Sequence, residues 1–321
     1  QPGTFAFYLV LMAFAGIFGA GTGSVVYTRP VVGWFDRQRG LALGLATAGT
    51  AVTIFIAPPI MQEVITSQGW RAGFYGLAVL TALIGLPLAL YLIGKPAQKH
   101  EANAAGIDTP SAPVSPTSGM DLNEASRTPR FWLLVAALVA INIPGSGVVG
   151  QLAPLITDKG LTPPMVAIAM SFYAVGLLGG RLGCGYCLDR LSAPMVAAAF
   201  TLVPTLGCLL LLLPAPSFAL AALAVTLIGV QQGSETDLLA YFISRSFGVR
   251  RYGSIYGAVA TFGALSTLGG VLLFGQTHDA TGNYDIALMI GAVAFVLGSA
   301  SFFAIGRTRI DHSQNRPEAG G

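Results

Sequence analysis

The chain has 321 residues, 54% of them hydrophobic and only 10% charged, with a formal net charge of +3. A soluble globular chain carries about 25% charged residues, so this composition, with a mean hydropathy of +0.69, is that of a membrane protein. No Lys/Arg-rich patch interleaves with aromatics, which argues against nucleic acid as a partner.

A spanning helix needs about 20 mainly apolar residues. Nine stretches meet that need in chain order: 5–33, 41–63, 71–94, 131–156, 164–188, 193–213, 217–243, 253–275 and 285–306. Turn or charge signals separate them, among them DRQRG, TSQGWR, DKGLTPP, DRLSAP, PAPS, GVRRYG and HDATGNY. Residues 95–129 are polar and rich in Pro, Ser and Ala, the composition of a flexible linker. The division expected is therefore 1–94 for the end of a first helix bundle, 95–129 for the linker, 130–306 for a six-helix bundle and 307–321 for a tail.

Lys and Arg set the orientation. Arg71 and Lys159 fall at one side and Arg181 inside a span; all the others fall at the opposite side. That side is expected to be the cytoplasm, which places linker and tail inside and residue 1 outside. The chain opens on Gln1-Pro2 with no short apolar leader, and the expectation drawn is that helices precede it. Cys184-x-x-Cys187 has neither a second pair nor a nearby His, so packing explains these thiols better than metal or redox chemistry.

Two segments echo each other. WFDRQRGLALG (34–44) and FGVRRYGSIYG (247–257) each place an aromatic and a basic turn before a Gly-x-x-x-Gly step, Gly40/Gly44 and Gly253/Gly257. Parallel repeats of this kind mark carriers built from two six-helix halves. GRLGCGYCLDR (180–190) resembles the second-half Gly-x-x-x-Asp-Arg loop of the major facilitator superfamily, here Gly185, Asp189 and Arg190. VVGWFDRQRGLALG, GSETDLLAYFISRSFG and GQTHDATGNY resemble its bacterial branch related to monocarboxylate transporters and oxalate–formate exchangers. The resemblance implies an all-α membrane fold with nine of twelve helices present, starting at about the fourth. It further implies a secondary carrier of small organic anions in the bacterial inner membrane.

The candidate site rests on rare charges. Arg181 lies eight residues before Asp189, ~12 Å deeper in the helix at 1.5 Å per residue. A charge at such depth faces a cavity or a partner. Guanidinium offers a fork of donors that matches a carboxylate, and the monocarboxylate branch carries an arginine here; a structural ion pair is the other reading. Glu235 and Asp237 are two residues apart and so point to different neighbours. Glu235 sits ~15 Å deeper than Arg245, near the depth of Arg181. It is the candidate proton site, by itself or paired with Arg181, since a desolvated carboxylate can carry a proton. Asp237 is a second proton-coupling candidate, and Asp237, Tyr241 and Arg245 form one stripe that would brace the inner gate. Asn142, Gln151 and Gln231 are candidate polar contacts to substrate. Arg37, Arg39, Asp189, Arg190, Arg250 and Arg251 would latch the basic side.

Two features depart from the family pattern. The aspartate one turn before the arginine in the monocarboxylate branch is Leu177 here, and residues 253–275 lack the lysine of the oxalate–formate exchangers. Histidines occur only at His100, His278 and His312, in loops or tail, and no phosphate-cradling motif is present. Enzyme chemistry, a metal, a cofactor and nucleotide energy are therefore not expected. The partners expected are an organic anion, a proton and the lipid bilayer, with substrate–proton symport by alternating access. An exporter of amphipathic drugs or metabolites and a non-transporting sensor on the same scaffold are the alternative readings.

Overall fold

The computed structural model describes residues 5–20, 31, 39–87, 90 and 119–307. Among these residues twelve α-helices occur in order: α1 Phe5–Ala20, α2 Arg39–Thr47, α3 Gly49–Gln68, α4 Trp70–Leu80, α5 Leu122–Ser126, α6 Pro129–Gly150, α7 Leu152–Asp158, α8 Pro163–Leu188, α9 Ala193–Leu211, α10 Phe218–Phe247, α11 Tyr252–Thr281 and α12 Asp285–Arg307. These labels count elements, not membrane spans: α2 and α3 are consecutive pieces of one apolar stretch, as are α6 and α7. The α4 helix widens at its end into a π-type turn, Thr81–Gly85.

The helix ends follow local chemistry. Thr128 caps α6 by accepting from Phe131 N, and Pro129 fills the first helical position, where no amide donor is needed. Asp121 and Glu124 close a capping box around α5, so the last part of the linker-like segment is built structure. Gly282 ends α11 at φ 75°, a left-handed turn that favours glycine, and its N–H reaches His278 O. Helices α10 and α11 run longer than the apolar spans read from sequence, because helical geometry continues into their polar ends.

Among the described residues five helices are long and apolar enough to cross a membrane: Pro129–Gly150, Ile168–Leu188, Ala193–Leu211, Tyr252–Thr281 and Asp285–Arg307. The apolar run of α10 is interrupted by Gln231, Gln232, Glu235 and Asp237. Outward ridges such as Leu265, Leu268 and Leu272 are exposed, as lipid-facing side chains are.

The second half is a bundle in which α8 packs along α10, α9 along α12, and α6 between α11 and α12. Glycines set the closest of these contacts. A Cβ on Gly176 or Gly180 would strike the carbonyl of Thr226 or Val230, and one on Gly229 or Gly233 would strike the carbonyl of Tyr173 or Leu177. Backbone therefore meets backbone along the α8–α10 seam. Gly179 meets no atom within 4 Å, so only one of the two glycine stripes on α8 forms the seam. Gly253 and Gly257 likewise meet nothing among the described residues, whereas Gly44, their counterpart in the first half, is tightly packed.

From the first half, α2 and α3 pack on α8, and α2 also on α10. This contact begins at the end of the bundle that carries Arg190, Arg250 and Arg251, here termed the basic end, and runs inward.

Candidate substrate-binding site

The α8–α10 seam fixes the depth of the charged residues. Gly233 lies against Leu177 and Arg181, with its Cβ position 3.0 Å from Arg181 N. Arg181 is 7% exposed, and its Nε and Nη1 atoms are buried without a hydrogen-bond partner among the described residues. Glu235, Asp237, Tyr173 and Tyr256 all lie within electrostatic reach of it. Arg181 closes no ion pair with either acid among the described residues.

Glu235 and Asp237 face different neighbours, as their spacing on α10 requires. Glu235 does not pair with Arg181. Its Oε1 accepts from Asn142 Nδ2 at 2.8 Å and its Oε2 from Gln232 Nε2 at 3.2 Å. Asn142 also donates to Leu138 O at 3.0 Å and accepts from Thr267 Oγ1 at 3.2 Å. Gln232 Nε2 also donates to Gln231 Oε1 at 3.0 Å. These contacts tie α6, α10 and α11 together around a cavity of about 200 Å³. Its wall includes Glu235, Asn142, Tyr256 and Thr267 beside Leu138 and Leu239. At ~30 Å³ per water that is the space of about seven waters, below the 300–1,000 Å³ or so of sites for drug-sized ligands.

Asp237 turns toward the first half. It is fully buried, and its Oδ1 accepts from Thr47 Oγ1 at 3.0 Å. It does not pair with Arg245, which is exposed and lies over the Tyr241 ring at 5.7 Å. The stripe therefore splits: Tyr241 and Arg245 stay at the basic end, while Asp237 crosses to α2. Beside it, a Cβ on Gly44 would come within 2.6 Å of Arg181 O. Nearer the end, Asp189 Oδ2 accepts from Leu41 N at 2.9 Å, a carboxylate at the N-terminus of α2, where helix dipole and free amides favour it.

The remaining candidates distribute as follows. Gln151 sits at the break between α6 and α7, away from the cavity, and accepts from Tyr284 Oη at 3.4 Å. Gln231 is fully buried behind Gln232, with Nε2 unpartnered among the described residues. Gly185 is buried in α8. Arg190 lies over the Tyr186 ring at 4.1 Å. Arg251 pairs with Asp121 at 3.2 Å, and Arg250 is exposed. Arg37 and the side chain of Arg39 lie outside the described residues. Cys184 and Cys208 are buried.

Thr47, Gln232 and Thr267 were not among the candidates drawn from the sequence. Thr47 follows Gly40 and Gly44 at helical spacing, which was the signal available for it.

The model of the Major Facilitator Superfamily matches residues 2–271. The chain belongs to that superfamily. It is thus a multi-pass membrane protein of a transporter family, not an enzyme. Human monocarboxylate transporter 11 is 27% identical over 309 residues, which cover 90% of this chain and 62% of that protein. The oxalate:formate antiporter of Oxalobacter formigenes is 24% identical over 311 residues, covering 92% of this chain and 70% of that one. The chain thus spans less than two thirds of the human relative's length. In fold it resembles the fucose:proton symporter of E. coli, with a TM-score of 0.67, 17% identity, and 95% of this chain and 78% of that one covered.

Proposed function

We propose that this major facilitator chain serves a secondary carrier of small organic anions, moving a monocarboxylate together with a proton by alternating access. One observation carries the reading: Arg181, 7% exposed, holds two nitrogens without partners among the described residues, within electrostatic reach of Glu235 and Tyr256 on the cavity wall. In this reading the substrate carboxylate occupies the guanidinium fork and Glu235 carries the proton. The relatives named for monocarboxylates and for oxalate and formate support the substrate class.

The basic end would face the cytoplasm of a bacterial inner membrane, with the linker and tail on that side. Asp189 at the N-terminus of α2 and Thr47 on Asp237 would hold that side shut. Residues 1–94 and 130–306 would be the parts of the two rocking bundles, joined through 95–129.

The test uses the complete gene product in liposomes that hold a pH dye. Lactate, pyruvate, formate and oxalate are added in turn, with Arg181→Ala beside the wild type, and passive leak of the neutral acids is subtracted. Acidification of the lumen that needs Arg181 is the expected result. No response above leak to any of the acids overturns the assignment.

A further inference from the structure

We propose that Asp237 is a second substrate-contacting residue and selects the acid: its free oxygen takes a hydroxyl on the carbon next to the carboxylate that Arg181 holds. The favoured substrate is then a 2-hydroxy monocarboxylate, and 2-oxo or unsubstituted acids bind more weakly. The inference rests on the reading of Arg181 as the carboxylate site and adds a contact which that reading does not assign.

The α8–α10 seam sets the two residues at one level. Gly229 lies against the backbone of Tyr173 and Leu177, and Gly233, one turn later, against that of Leu177 and Arg181. One more turn along the same face of α10 brings Asp237 to the turn of α8 that carries Arg181. From α2, the Cβ position of Gly44 is 2.6 Å from Arg181 O and 3.6 Å from Asp237 Oδ2, so one point looks onto both residues. Of the acids, Asp237 is also the one that acts most strongly on Arg181.

The two nevertheless form no ion pair. Arg181 keeps Nε and Nη1 buried without a partner among the described residues. Asp237 is fully buried; its Oδ1 accepts from Thr47 at 3.0 Å, and its Oδ2 has no partner. Donors thus stand on one side and a lone acceptor on the other. In the proposed carrier the substrate carboxylate meets the guanidinium. A carboxylate has no proton left to give, so whatever meets Asp237 is a second group close to the first. A 2-hydroxyl supplies that donor. A 2-oxo group would set its lone pairs against those of Asp237, and a plain alkyl chain would leave Oδ2 buried and unpaired. Glu235 is the other acid within reach of Arg181, but its Oε1 and Oε2 already accept from Asn142 and Gln232.

Calorimetric binding to the complete gene product in nanodiscs, near neutral pH, tests this with three acids of one chain length: lactate in both hands, pyruvate and propionate. One hand of lactate should bind about tenfold or more tightly than propionate, the worth of a hydrogen bond to a charged group. Pyruvate should bind no more tightly than propionate. Asp237→Leu, which keeps the shape and removes both oxygens, should abolish the advantage of lactate, and Asp237→Asn, which still has an acceptor, should keep part of it. A purely structural role for Asp237 would weaken all three acids alike. Equal affinity for lactate and propionate in the wild type overturns the proposal, as does tighter binding of pyruvate than of lactate; neither outcome depends on a variant that folds. An unaltered ratio in both variants overturns it too. If none of the acids binds the wild type, the organic-anion reading falls and this inference with it; if all of them bind alike, only the inference falls.

Discussion

Gly44→Ala tests whether the first half closes on the second at the basic end. The new Cβ would lie 2.6 Å from Arg181 O, against 3.4 Å for ordinary contact, a deficit of 0.8 Å. The obstacle is a backbone carbonyl in the glycine-sealed α8–α10 pair, so α2 must move. Thr47–Asp237, now 3.0 Å, and Leu41–Asp189, now 2.9 Å, would both stretch out of hydrogen-bonding range. Each is a bond to a carboxylate, worth about 1.5 kcal/mol at the low end. Together they come to about 3 kcal/mol, a shift of about a hundredfold against the closed arrangement. Spin labels at Leu45 and Leu191, both largely exposed, would report the change in detergent or nanodiscs once the three cysteines are replaced. The expected result is a second, longer distance that dominates in the variant. An unaltered distance distribution in a folded variant would refute the reasoning.

Other outcomes follow from single contacts. Gly233→Ala sets a methyl against the Leu177 carbonyl and 3.0 Å from Arg181 N; it should cost about 2–3 kcal/mol and lower the unfolding temperature by several degrees in a fluorescence melt. Asp189→Ala should weaken the join by about 0.5–2 kcal/mol, and Asp189→Asn by less, because an acceptor remains at the α2 N-terminus; the same spin-label pair ranks them. The phenol of Tyr284, in the turn before α12, is pushed above its usual range by burial and then by the carboxylates of Asp158 and Asp279. The unfolded chain therefore ionises first. The contribution is complete below about pH 10 and is lost as pH rises toward the folded value. Alkaline melts of wild type and Tyr284→Phe should show a component of the high-pH fall in stability that the variant lacks.

The depth of the site was legible because charge is scarce in these helices and helical rise converts residue number into depth. Arg181 and Glu235 lie across one seam, as counting back from Asp189 and Arg245 indicates. Two acids 200° apart on α10 had to face different neighbours, and they do. Which neighbour each would meet was not legible, since that depends on the lateral order of helices and on rotation about the α10 axis. Glu235 met Asn142 rather than Arg181, and Asp237 met Thr47 rather than Arg245. Gln151 shows a second limit: its residue type fits a polar cavity, but the break after Gly150 carries it out of the site toward Tyr284. Thr47 shows a third, for a lone threonine in an apolar helix most often bonds its own backbone, and Thr47 does that as well, at Leu43 O.

The seam between α8 and α10 leaves no side chains to exchange, because the carbonyls of Tyr173, Leu177, Thr226 and Val230 face glycine positions across it. Sequence drift cannot repack such a joint; it can only keep it or break it. In the carrier proposed above, the backbone positions of Arg181 and Glu235 are thus held at a fixed spacing whatever solute it accepts. Variation is left to the facing walls, at Leu138, Ala260, Gly263 and Ala264. In an engineering sense the pair is a chassis: exchanging those wall residues should retune the size of acid admitted while the charged machinery stays where it is.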